Sequence, residues 1–352
     1  MQQFFWCLMT ITLIALGGSS ARASEVIRFI SGDARLVGTL YSAPGPGLHP
    51  AIVLLHGSGE EPRTNPTFNT AAARFTAAGF DVFAYDKRGV GESGGKFSHF
   101  ASLESLALDG IAAIHAMQAH SGIDARRIGV WGISQGAYVG PVMATLSSDV
   151  AFVIGVSGGG IAISRQNIFA SGSELLNSGY SPEDVREIEQ YRRVLWAYYG
   201  TGLGKQAAEG MAIQMSGRPW FSRLHFTRAI PDVDTLDPGL RAAMEAGVYD
   251  PISDVGRVKV PVLYIFGYKD SLGPSDESAS NLMLAYARAG NRHADFIIFP
   301  NAGHGLQPVV ESVECHVCME RALKQTGTWI TVPGFFERTI EWLKSQEKPG
   351  VT

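Results

Sequence analysis

One serine, one aspartate and one histidine stand where nucleophilic catalysis would need them. The stretch Gly132-Ile133-Ser134-Gln135-Gly136 follows an apolar run over 127–131 and opens a helical pattern over 136–146. A strand that turns into a helix through Gly-x-Ser-x-Gly leaves little or no room for side chains beside the serine, and the hydroxyl is held up at the helix N-terminus. A serine hydroxyl is a weak nucleophile near neutral pH and needs a base that is itself oriented by a carboxylate. "VPVLYIFGYKDSLGP" ends an apolar run and presents Asp270; "FIIFPNAGHGL" ends the next and presents His304 between two glycines. Serine, acid and histidine in that chain order is the order such an elbow takes. Asp276 lies in the same loop as Asp270 and stands as an alternative acid.

Acyl transfer through a tetrahedral intermediate also needs N–H donors for the developing oxyanion. "LLHGSGE" places His56-Gly57-Ser58-Gly59 at the end of an apolar run. The expected donors are the backbone N–H groups of Ser58 and of Gln135, the residue after the nucleophile. His56 is read as ordering this loop, because His304 already holds the position of the base.

The elements that would position these residues follow from the patterning. Two alternating runs over 26–30 and 36–41, separated by Gly32-Asp33, read as an antiparallel hairpin at a sheet edge. After "APGPG" the pattern becomes continuous apolar runs alternating with helical stretches, as buried parallel strands with crossover helices require. Strands are expected over 51–55, 81–85, 127–131, 152–156, 262–266 and 295–299. Helices are expected over 70–78, 102–119, 136–146, 278–289 and 334–345. In an open α/β sheet ligands bind beyond the carboxyl ends of the strands, which is where the loops bearing Ser58, Ser134, Asp270 and His304 fall.

Residues 161–249 contain no convincing buried strand. They contain "SPEDVREIEQYRRVLWAYYG", in which Ser181 caps a helix, Pro182 takes its first position and Asp184 completes a capping box. This is a helical insertion. Its aromatics Tyr191, Trp196, Tyr198, Tyr199, Trp220 and Phe221 suit packing one by one and, as a group, a lid over an apolar pocket.

With 352 residues, 45% hydrophobic and 18% charged, the chain has enough apolar material for a large core. A net charge of -4 and the lack of any Lys/Arg-rich block exclude a nucleic-acid partner. The apolar run over 4–18 is short for a bilayer span, and Ala21-Arg22-Ala23 follows it, so residues 1–23 read as a signal peptide cleaved near Ala23. Export to a periplasm or the exterior is therefore expected, without stable membrane association afterwards. Cys315 and Cys318 are then the cysteines left. In an oxidising compartment they suit a small disulfide loop; free thiols, or redox or metal chemistry, are the other readings. Neither a metal nor a cofactor is expected.

With these residues in hand, the chain resembles the α/β-hydrolase family from the hairpin to the last helix. "YDKRGVGESGG", residues 85–95, is similar to the loop after the fourth strand in lidded esterase, acyl-hydrolase and peptidase members. There the loop is chiefly structural, which assigns Asp86, Arg88 and Glu92 to holding it. The resemblance implies a mostly parallel sheet with an N-terminal antiparallel hairpin and a helical cap, a serine mechanism and no metal. It divides the chain into a core of residues 24–160 and 250–346, a cap of residues 161–249 and a tail of residues 347–352. The expected function is that of a secreted carboxylesterase acting on a small acyl substrate. The apolar lid and the small-residue loop Ser157-Gly158-Gly159-Gly160 favour ester over amide. Alternatives are a peptidase resembling the prolyl-oligopeptidase group, with Glu60-Glu61 binding a substrate amine, a thioesterase, and a non-catalytic binding protein on the same fold.

Overall fold

β1 (Ser24–Ser31) and β2 (Ala34–Tyr41) form the antiparallel hairpin, turning at Gly32 with φ 56°. The computed structural model describes residues 24–99, 101–224, 226–236, 238–248, 250–310, 323 and 325–346. The expected signal peptide, Cys315, Cys318 and the residues after 346 lie outside the described residues.

β2 runs antiparallel to β4 (Asp81–Tyr85), and from there the sheet is parallel through β3 (His49–Leu55), β5 (Ile123–Ile133), β6 (Val153–Val156), β7 (Val262–Gly267) and β8 (Ala294–Phe299). The spatial order is β1-β2-β4-β3-β5-β6-β7-β8. β4 and β7 are buried at every residue, the pattern of strands covered on both faces.

Two layers of helices supply that cover. On one face α2 (Leu103–Gln118), α3 (Gln135–Leu146) and α10 (Ser275–Arg288) bury Ile111, Ile114, Val139, Met143 and Leu282 against the sheet. On the other, α1 (Pro66–Ala77) and the last helix, α11 (Phe335–Ser345), bury Phe68, Phe75, Phe335 and Trp342. α1 starts four residues before its expected start because Asn65 caps it, accepting from Phe68 N at 2.9 Å, with Pro66 in the first position. β5 is longer than expected at its N-terminal end, where Ile123 pairs with His49 across a bulge before regular pairing begins at Ala51 and Ile128.

Between β6 and β7 the chain is helical: α4 (Ile163–Asn177), α5 (Pro182–Thr201), α6 (Lys205–Met215), α7 (Pro219–Arg223), α8 (Pro238–Gly247) and α9 (Ile252–Val255). α5 carries the capping box: Asp184 N donates to Ser181 Oγ at 3.2 Å, and Ser181 N donates to Asp184 Oδ2 at 3.1 Å. The segment has its own apolar cluster, built on Leu175, Ile188, Tyr191, Tyr198, Trp220 and Phe221. No helix among the described residues is long and apolar enough to cross a membrane.

Candidate active site

Ser134 joins β5 to α3 with φ 54° and ψ −115°, a conformation that residues other than glycine rarely adopt. The turn is that tight because backbones meet around it. A Cβ at Gly132 would stand 2.2 Å from Gly136 O, and one at Gly136 would stand 2.4 Å from Leu55 O. The backbone is pinned by Ser134 N donating to Val156 O at 2.8 Å. Although Ser134 occupies the N-cap of α3, its hydroxyl makes no capping hydrogen bond. The Oγ is left for other chemistry, at the positive end of a helix.

Asp270 follows β7 and His304 follows β8, neighbouring parallel strands, so both loops leave the same edge of the sheet as Ser134. A Cβ at Gly267, the last residue of β7, would stand 2.3 Å from Gly303 O, so glycine there lets the histidine loop close onto the aspartate loop. His304 Nδ1 donates to Asp270 Oδ2 at 2.8 Å, and both side chains are buried. Asp270 Oδ1 accepts from Leu272 N at 2.7 Å and Gly273 N at 3.0 Å, which fixes the carboxylate plane. Since a carboxylate only accepts, the proton on Nδ1 leaves Nε2 as the basic nitrogen. Trp329 Nε1 donates to Gly305 O at 2.7 Å and steadies the loop just after the histidine. Asp276, the alternative acid, is exposed in the first turn of α10, where it accepts from Glu277 N at 2.9 Å.

The loop after β3 lies against the elbow: a Cβ at Gly57 would be 3.7 Å from Ser134 Cβ. His56 is buried, donates from Nε2 to Tyr85 O at 2.6 Å and packs on Phe68 at 4.2 Å between ring centroids. Burial pushes its pKa down to about 3, with Lys87 beside it adding to the effect, so it is a neutral structural ring. Ser58 and Gln135 both line the chamber in front of Ser134.

A further residue emerges that the sequence reading passed over. Lys87, in the loop after β4, is buried and donates its ammonium protons to Gly57 O, to Gly59 O at 3.5 Å and to Gln135 Oε1 at 3.0 Å. One cation thereby ties the Ser58 loop to the residue after the serine. Burial lowers its pKa to about 8, while Glu61 opposes that shift. The "YDKRGVG" motif held no signal for this, because which side chains of a loop turn inward is decided by its pairing with other loops. The neighbours do hold the loop: Asp86 Oδ1 accepts from Arg63 N at 2.6 Å, Arg63 pairs with Glu92, and Arg88 Nη2 donates to Asp109 Oδ1 at 2.7 Å. In the small-residue loop Ser157 has φ 56°, and a Cβ at Gly158 would stand 2.6 Å from Ser134 O.

The chamber has a volume of about 920 Å3 and a mostly apolar surface, to which Tyr138, Val142, Ile163, Trp196 and Leu272 contribute, with Glu104, Glu245, Asp254 and Arg257 also on its lining. Of the six insertion aromatics expected to form a lid, Trp196 lines it; Tyr191, Tyr198, Tyr199, Trp220 and Phe221 belong to the insertion's own cluster. Large rings bury most area against one another, which is why the group turned inward. Among the described residues no group of three or more His, Cys, Asp or Glu could hold a metal ion.

A mostly parallel eight-stranded sheet with an antiparallel hairpin at one edge, a Gly-x-Ser-x-Gly elbow after β5 and helices on both faces defines an α/β hydrolase. The chain belongs to the α/β-hydrolase family, and it is a hydrolase of the serine type. Residues 48–172 match the family model described as serine aminopeptidase, S33. Over 258 residues the chain is 30% identical to a 31.7 kDa protein of the traX-finO intergenic region of Escherichia coli, covering 70% of this chain and 84% of that one. It is 32% identical to the quorum-quenching protein AidA of Acinetobacter baumannii (strain MDR-ZJ06), covering 71% and 79%. In fold it is similar to the esterase Pf2001 of Pyrococcus furiosus, with a TM-score of 0.56 and 16% identity over 92% of this chain and 91% of that one.

Proposed function

We propose that this protein is a carboxylesterase working through Ser134, His304 and Asp270. Ser134 Oγ attacks the ester carbonyl while His304 Nε2 takes its proton, and Asp270 stabilises the resulting imidazolium. Ser58 N–H and Gln135 N–H receive the oxyanion; one such donor is worth about 2.7–4 kcal/mol of barrier. His304 returns the proton to the leaving alkoxide, giving free alcohol and an acyl-Ser134 ester. Water then attacks that ester with the same base, releasing the carboxylic acid and restoring the serine. The observation that carries the reading is the buried His304–Asp270 hydrogen bond at the edge where the strained serine elbow stands.

The mostly apolar surface favours an ester over a charged peptide terminus; neither Glu60 nor Glu61 lines the chamber, although Glu104 and Glu245 do. The aminopeptidase description of the matching family model favours the second reading, in which a substrate amine binds near those carboxylates. In the proposed organisation residues 161–249 act as a cap on a core of residues 24–160 and 250–346, and the mature protein is exported after loss of residues 1–23.

A fluorophosphonate probe, with Ser134→Ala as control and the adduct located by peptide mass spectrometry, tests the nucleophile. Labelling confined to Ser134, with aryl esters cleaved much faster than an aminoacyl amide, is the expected result. A folded protein that is not labelled overturns the serine mechanism, and an amide preference moves the assignment to a peptidase.

A further inference from the structure

The chamber is longer than a small ester needs. Gln135, Tyr138, Val142, Thr145 and Leu146 of α3 all line it, at spacings that stack side chains along one side of a helix. From Ser134 to Leu146 this floor runs about 18 Å at ~1.5 Å per residue. Opposite it stand Ile163 and Ala170 of α4 and Trp196 of α5.

The two ends of this tract differ. Ser134 stands at one end, at the carboxyl edge of the sheet. The other is marked by Asp254 of α9 and by Arg257 just after it, on the stretch that leads into the start of β7 at the opposite edge; Arg257 Nη1 donates to Asp254 Oδ1 at 3.3 Å. Arg257 is 64% exposed, so the tract opens to water at this end, and an apolar chain that ran further would gain no more burial there.

Which half of an ester enters is set by the proton transfer. The leaving oxygen must lie beside His304 Nε2 to be protonated, and His304 follows β8, three strands beyond β5 in the sheet, whereas Ser58 after β3 and residues of α2 and α3 line the chamber on the other side of Ser134. The part of the substrate lying along α3 is therefore the acyl part. An extended methylene chain advances about 1.3 Å per carbon, given C–C bonds of ~1.5 Å, so the floor accommodates roughly a dozen carbons.

Granting the esterase reading, we propose that the tract along α3 is an acyl-chain site and that the preferred substrates are esters of linear, medium-chain carboxylic acids, about C8 to C12 in length. Carbons beyond about C12 would lie in water at the Asp254–Arg257 end and add nothing, and the alcohol part is left unselected.

The test is a series of p-nitrophenyl esters from acetate to palmitate, run on the wild type, Val142→Phe and Ala170→Phe. For the wild type kcat/KM is expected to rise about fourfold per methylene, the factor that burial of one CH2 provides, and to level off beyond about C12. Val142→Phe blocks the tract from the floor and Ala170→Phe from the opposite wall. Each is expected to lower the decanoate-to-acetate ratio by about 60-fold, equivalent to some three lost methylenes. Should one variant fail to fold, as judged by circular dichroism, the other carries the measurement. A profile that is flat or highest for acetate, or a decanoate-to-acetate ratio unchanged in a folded variant, overturns the acyl-site assignment. If acetate is cleaved and Ser134 is labelled by the fluorophosphonate, that failure belongs to the acyl site alone. If no ester is cleaved and Ser134 is unlabelled, the esterase reading falls as well.

Discussion

At the carboxyl ends of β3, β5 and β7 the backbone itself is the packing material, whereas between β6 and β7 side chains do the packing. A Cβ on Gly136 would meet Leu55 O at 2.4 Å and one on Gly267 would meet Gly303 O at 2.3 Å. In the helical segment Tyr191 packs on Phe226 at 5.0 Å and on Phe221 at 5.8 Å between ring centroids. Backbone contacts leave no freedom of position, which suits a hydroxyl, an imidazole and two N–H donors that must hold one geometry. Packed rings can be exchanged or shifted at moderate cost, which suits a segment whose cluster stands apart from the strand-end loops. The strand-end loops and the helical segment are thus built from different materials.

Asp270→Asn attacks that contrast at its most rigid point. The fold should survive, because Oδ1 keeps its two backbone donors, but kcat on an aryl acetate should drop about 10^4-fold as the imidazole loses its tautomer. Near-normal turnover would show that the carboxylate is not the orienting group.

Gly136→Ala adds one methyl group where a backbone oxygen lies 2.4 Å away. Roughly 1 Å of backbone movement is needed to relieve it, enough to cost at least about 10^2-fold in kcat. Thermal unfolding measured beside kcat sharpens the point, since a methyl group in the helical segment should not produce such a loss.

Lys87→Met removes the cation that joins the two loops proposed to carry the oxyanion donors and should lower kcat by about 10^2, with KM changing less. The pH profile separates this from simple packing. Burial holds Lys87 at about 8 against an ordinary 10.5, so wild-type kcat should decline above about pH 8 as the ammonium loses its proton, a limb absent from the variant. Stability should move the other way. Between pH 8 and 10.5 the unfolded lysine binds the proton that the folded one has lost, so this group makes folding more favourable as pH rises. Activity falling while the melting temperature also falls would argue against the clamp.

The smallest expected effect on short esters comes from the other region. Trp220 is fully buried, and Trp220→Ala should weaken the segment's own packing by about 3–5 kcal/mol. Acetate turnover should nevertheless stay within about threefold of wild type, because the strand-end loops do not depend on that cluster. Proteolysis of the segment with unchanged acetate kinetics would confirm the division of labour; loss of both together would break it.

Much of this was legible in the chain. Strands read as apolar runs because β3 to β7 are covered on both faces, and the hairpin read from alternation because one side of β1 is exposed. Gly132, Ser134 and Gly136 announced the elbow, since a turn that excludes side chains has to be written in glycine. Asp270 and His304 were readable from their place after consecutive apolar runs.

Other features were not local. Asp270 and Asp276 are the same residue type in the same loop, and it was the approach of the His304 loop past Gly267 that singled out the first. Lys87 sits between Asp86 and Arg88 in a motif rich in charge, and its role depends on Gly57, Gly59 and Gln135 arriving from two other loops. The insertion's aromatics stood out, but Trp196 alone of the six faces the chamber, because which side of α5 meets α4 and α8 is a matter of packing. Sequence by itself determined the elements and the serine elbow, through steric and hydrophobic rules acting over a few residues. Tertiary structure decided which aspartate meets His304, the contacts of Lys87 and the shape of the chamber, because each arises from groups far apart in the chain whose meeting no local pattern encodes.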